Sequence, residues 1–122
     1  MLVGRAATLV AVFILPGCAT VVTADGESLG PTSDEFRAYV ERVFREQNRV
    51  SDELAFALES VPAPAELVAA EQVLLAACAD INELATARRD EQRLGLGHRA
   101  RAARSVPDCE RAARSAAATL DP

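Results

Sequence analysis

The sequence predicts an all-α domain, a small three-helix bundle made of a long antiparallel helical hairpin and a shorter C-terminal helix. Three observations carry this expectation. Apolar residues from Phe36 to Val61 recur at alternating steps of four and three, the spacing of one helix face. The chain is alanine-rich, with 4% aromatic residues and no Trp, and alanine is the best helix former. Proline and glycine cluster between the periodic segments, and no strand signal of any length is read.

The first helix is expected to start near Thr32 or Ser33, either of which can cap, with Asp34 and Glu35 suiting the positive helix end. Its seam is Phe36, Val40, Val43, Val50, Leu54, Ala57 and Val61, widened by Phe44 and Leu58. Gln47 interrupts the seam; it either fixes register or marks a partly exposed spot, and the second reading is preferred. The opposite face carries Arg37, Glu41, Arg42, Arg45, Glu46, Arg49 and Glu53.

Val61-Pro62-Ala63-Pro64 stops this helix and Pro64 opens the next. The short connection implies that Ser33–Val61 and Ala63–Arg93 fold back antiparallel. The second seam is Leu67, Ala70, Leu74, Ala77, Ile81 and Leu84, with Val73, Leu75 and Cys78 nearby. Its breadth suggests the most buried element. Leu94-Gly95-Leu96-Gly97 breaks the pattern, and Ser105-Val106-Pro107-Asp108 fits a capping box. The last helix then shows Val106, Cys109, Ala113, Ala116 and Leu120 on one side.

The N-terminal segment has a different character. Arg5 is followed by an apolar run from Ala6 to Leu15 and then Pro16-Gly17-Cys18-Ala19, the layout of a secretory signal. The run is short for a transmembrane helix, which needs about 20 residues. Leu15-Pro16-Gly17-Cys18 resembles the lipobox of bacterial lipoprotein precursors, with Pro16 a less usual choice at its position. The resemblance covers the first 18 or so residues. It implies that residues 1–17 are a signal peptide, that the Cys18 thiol receives a diacylglycerol group, and that the new amino terminus is acylated with a fatty acid such as palmitate. Cleavage after Ala19 or an uncleaved anchor are the alternatives. Residues 18–33, small, polar and broken by Gly26, Gly30 and Pro31, are read as a flexible tether reaching roughly 20 Å. Residues 34–120 are left as one helical domain. The resemblance also implies an envelope location. Ala19 is not the Asp that favours inner-membrane retention in Gram-negative lipoproteins, so it points to the outer membrane, facing the periplasm.

With Cys18 lipidated, Cys78 and Cys109 remain, each on the apolar face of an expected helix. In an exported chain they are candidates for a disulfide; the alternative is two buried free thiols. Their separation argues against a redox-active Cys-x-x-Cys pair.

No catalytic constellation is legible, and the chain is read as no enzyme. His98 is the sole histidine, without a second ligand for a metal or a nucleophile to activate. Asp34-Glu35, Asp52-Glu53 and Asp90-Glu91 fall on polar faces or helix ends. No phosphate-binding loop or other cofactor motif is present, since Gly95-Leu96-Gly97 follows a helix.

Charge is uneven. All 13 basic residues are Arg and the net charge is −5. Residues 25–83 hold 13 acids and 4 arginines, whereas residues 88–114 hold 8 arginines and 4 acids. Either the basic C-terminal arm lies across the acidic helices, or Arg99, Arg101, Arg104, Arg111 and Arg114 contact anionic lipid headgroups or a partner's acidic surface. An exported, acidic chain is a poor nucleic-acid binder. The expected function is therefore a membrane-anchored structural or adaptor protein of the envelope acting through a protein partner. The alternative is a binder of anionic headgroups or a small ligand.

Overall fold

The structure, a computed structural model, describes residues 20–121; the signal segment and Cys18 lie outside the described residues. The chain is mostly helical. A two-stranded antiparallel hairpin, β1 (Val21–Val22) and β2 (Ser28–Leu29), precedes α1 (Asp34–Ala57), α2 (Ala65–Ala77), α3 (Ala79–Arg89) and α4 (Leu96–Leu120).

α1 starts as its sequence dictates. The Ser33 hydroxyl accepts the Phe36 N–H at 3.0 Å, with Asp34 and Glu35 in the first turn. Its buried stripe is Phe36, Tyr39, Val43, Gln47, Val50 and Leu54. The helix stops at Ala57 rather than Val61, which stands in the following loop at 97% exposure. With two prolines in Val61-Pro62-Ala63-Pro64, the chain leaves the helix before reaching them.

The expected second helix is divided at Cys78, whose backbone (φ −98°, ψ 2°) closes α2 and opens α3. Both pieces pack against α4. The expected short last helix is instead the longest, with 25 residues. α4 passes through Pro107, and the Ser105 hydroxyl donates to the Ala102 carbonyl instead of capping a helix. The break thus falls at residues 90–95, ahead of Gly97. Val106, Cys109, Ala113 and Ala116 are buried as their spacing requires.

The hairpin relationship differs from the expected one. α2 and α3 run back along α4: Cys78 bonds to Cys109, and Glu66, Ala70, Val73, Ala112 and Thr119 line one groove. α4, not the second helix, is the central element, contributing Ala102, Val106, Cys109, Ala112, Ala113 and Ala116 to the core. α2 buries only Leu74, while Val73 and Leu75, about 100° to either side of it on a helix, stay exposed.

Where the sequence suggests a flexible tether, residues 20–33 carry the hairpin and a turn. Val21 pairs with Leu29, and both are buried in the main core cluster. The reversal is closed by Thr23, whose hydroxyl accepts the Glu27 N–H, and by Gly26 at φ +87°, a conformation that glycine adopts freely. A lone two-stranded hairpin is marginal in water, so this one owes its order to the helices beneath it.

Candidate functional site

Two features of the described residues carry concentrated chemistry. One is a buried charged cluster beneath the hairpin. The other is a solvent-facing group of arginines at the α3–α4 elbow.

The cluster centres on Glu110, which is 3% exposed. α4 presents it between buried Val106 and Ala113, while the hairpin and α1 close over it. Its Oε1 accepts the Tyr39 hydroxyl at 2.9 Å and the Ala24 N–H at 3.1 Å. Its Oε2 accepts Arg42 at 2.9 Å and Arg114 at 3.0 Å. Arg114 reaches on to Asp25 in the hairpin turn with two bonds, at 2.9 and 3.0 Å. Phe36 and Arg42 brace Tyr39: the Phe36 ring centroid is 6.3 Å away, and the Arg42 guanidinium lies 5.2 Å over the Tyr39 ring.

The electrostatics follow from this geometry. Burial opposes the charged form of Glu110, but hydrogen bonds from Tyr39, Arg42 and Ala24 and the charge of Arg114 outweigh it and hold the carboxyl below the ordinary glutamate value. Burial, then the bond to Glu110, pushes Tyr39 upward, so the phenol stays a donor. Arg114 lowers Asp25. A shallow cavity of about 190 Å³ opens beside the cluster, lined by Arg42, Val43, Glu46, Glu110 and Arg114. The two guanidinium groups facing it are already committed to Glu110 and Asp25. The arrangement is a clasp that fastens the N-terminal hairpin to α1 and α4.

Cys78 and Cys109 form a disulfide with S–S 2.05 Å and Cα–Cα 4.7 Å, both residues at 0% exposure. The five arginines of the basic arm separate into two groups. Arg114 is spent inside the clasp, and Arg111 pairs with Asp108 one turn away on its own helix. Arg99, Arg101 and Arg104 are exposed and make no ion pair among the described residues. α4 itself packs against α1 and α2, but of these five arginines only Arg114 reaches an acid outside α4, and that acid is Asp25 of the hairpin turn. His98 sits exposed in the first turn of α4, not in a loop. Among the described residues no three His, Cys, Asp or Glu side chains are grouped so as to hold a metal.

Gln47 is not the partly exposed residue expected. It is 2% exposed, and its amide pairs with that of Asn82 on α3. The clasp itself went unread in the sequence. Tyr39 lies one position off the four-three seam, and Glu110 reads as one acid among basic neighbours. The available signals were Asp25-Gly26 between short apolar segments, a hairpin pattern, and the placement of Glu110 four residues from Val106 and three from Ala113.

These observations define a disulfide-linked helical domain with a clasped N-terminal hairpin. Compared with known proteins, the chain matches no family model, no curated protein and no solved structure. No described helix is long and apolar enough to cross a membrane.

Proposed function

We propose that this protein is a non-enzymatic structural or adaptor protein of the cell envelope, held to the membrane by lipid on Cys18 and acting through protein–protein contacts. The observation that carries the reading is the division between interior and surface. Buried polar side chains are spent on one another, and among the described residues none is left without a hydrogen-bond partner. Large apolar side chains stand outside, with Phe56 at 77%, Val73 at 59% and Leu75 at 55% exposure. They offer separate apolar contact points, with Val73 and Leu75 on opposite flanks of α2 and Phe56 near the end of α1. The lipobox-like Leu15-Pro16-Gly17-Cys18 supports the address, and the disulfide suits an oxidising compartment.

Crosslinking in intact cells followed by affinity isolation tests it. A discrete partner is expected, and its yield should fall when Val73 and Leu75 are both changed to Ser. Repeated recovery of no discrete partner contradicts the reading. A second reading, binding of anionic headgroups, is favoured by the arginines of the elbow.

A further inference from the structure

We propose that the elbow between α3 and α4 is a binding surface for the phosphates of anionic phospholipids, formed by Arg88, Arg93, Arg99, Arg101 and Arg104 around Leu96. The proposal rests on the envelope reading for the protein's location, and not on a protein partner.

The pairing pattern carries it. Most other exposed arginines among the described residues have an acid three or four residues away and use it: Arg37 with Asp34, Arg45 with Glu41, Arg49 with Glu46 and Glu53, Arg111 with Asp108. The elbow departs from this. Residues 88–104 hold six arginines against Asp90 and Glu91, and among the described residues Arg89 alone of the six is paired, with Asp90. Arg101 and Arg104 are three apart on one helix with no acid between them, a like-charge spacing that weakens an isolated helix. Anions from outside would turn that repulsion into attraction. Guanidinium groups suit phosphate oxygens because their planar donors engage two at once.

Leu96 separates a bilayer from other acidic surfaces. It is 76% exposed at the first position of α4, between Arg93 and Arg99 in the sequence. An exposed aliphatic side chain on an arginine-rich segment matches an interface where phosphates overlie hydrocarbon. The remainder of the molecule supplies orientation. With 13 acids and 4 arginines over residues 25–83, it is repelled by an anionic surface, so the elbow is the part that approaches. The hairpin supplies proximity. Val21 is already packed into the core, leaving three peptide links from Cys18, at most about 10 Å. A body held by so short a link stays at the bilayer at high effective concentration, with Leu96 about 21 Å along α4 from Glu110 and the clasp.

The chain has no Trp, so Leu96→Trp places a sole fluorescent reporter at the elbow. The full protein, purified as cells make it, is added to vesicles of equal parts phosphatidylglycerol and phosphatidylcholine, and to phosphatidylcholine alone. With anionic vesicles the emission should shift to the blue and acrylamide quenching should fall several-fold; high salt should reverse both. Val73→Trp on α2 should report no change. Adding Arg99→Gln, Arg101→Gln and Arg104→Gln to the reporter should abolish the response. Each arginine near an anionic bilayer is worth about fivefold in attraction, so three removals cost on the order of a hundredfold. These residues make no ion pair, so helicity and thermal midpoint should hold. The same emission with both vesicle types overturns the proposal, as does a response the three glutamines leave intact. A photocrosslinker at position 101 that captures an acidic protein while the vesicle response is absent assigns the elbow to protein and also overturns it. An elbow response in a protein whose mass shows no acyl group would separate failure of the anchor from failure of the headgroup surface.

Discussion

Glu110 is the residue on which the N-terminal part of the fold depends. It gathers donors from three segments far apart in sequence: Ala24 from the hairpin, Tyr39 and Arg42 from α1, and Arg114 from α4. Glu110→Gln keeps the volume, removes the charge, and turns a donor toward other donors. Removing the acceptor from a buried, hydrogen-bonded charge is costly. Arg42 and Arg114 are about half exposed, which moderates the loss to about 1–3 kcal/mol. Thermal unfolding at neutral pH measures it. The pH dependence has a definite sign. A carboxyl lowered in the folded state stabilises above its unfolded value, ordinarily 4.5, and that contribution is lost as pH falls from there through the lower folded value. The variant should therefore show a shallower acid limb than the parent. The Gln47–Asn82 pair is a second residue-scale test. Replacing either residue by Leu leaves the other amide buried without its partner and should destabilise by about 1–3 kcal/mol. Replacing both should cost much less than the sum, which a double-mutant cycle in urea would reveal.

At the scale of elements, some features were legible in the sequence and others needed the assembled fold. The start of α1, the buried positions Phe36, Val43, Val50 and Leu54, and the apolar face of α4 follow from periodicity and capping, which are local properties. The division at Cys78 does not: residues 65–89 read as one helix because the change of course follows from packing along α4. The start of α4 at Leu96 departs from the sequence expectation for a related reason. Ser105-Val106-Pro107-Asp108 is good cap chemistry, yet the helix passes through it, because Ala102 and Val106 are both drawn into the core. Propensity yields to burial there. The clasp was invisible because its members gain meaning only when the hairpin, α1 and α4 meet. The disulfide was legible, since two cysteines on apolar helix faces, in a chain whose N-terminal segment reads as an export signal, carry their own argument. It closes a separation of 31 residues and joins the middle of α4 to the junction of α2 and α3. In the chain-entropy account its loss should lower stability by about 3–4 kcal/mol. Melting with and without reductant, and of a Cys78→Ala, Cys109→Ala double variant, checks this value.

At the scale of the whole molecule, acidic helices occupy most of the chain and a basic elbow caps the α3–α4 end. The N-terminal hairpin, packed into the core, brings the body within a few residues of Cys18. A tether of flexible chain would let the domain range away from its anchor; a clasped hairpin holds it close. The disulfide of Cys78 with Cys109 and the lipid proposed on Cys18 are the two covalent features to test. The intact mass of the protein isolated from native membranes, taken with and without reductant, tests both at once. The expected result is a chain beginning at Cys18, heavier than its residues by a diacylglyceryl group and an N-terminal acyl chain, and gaining two hydrogens on reduction. A chain of unmodified mass beginning after Ala19, or one retaining residues 1–17, would contradict it.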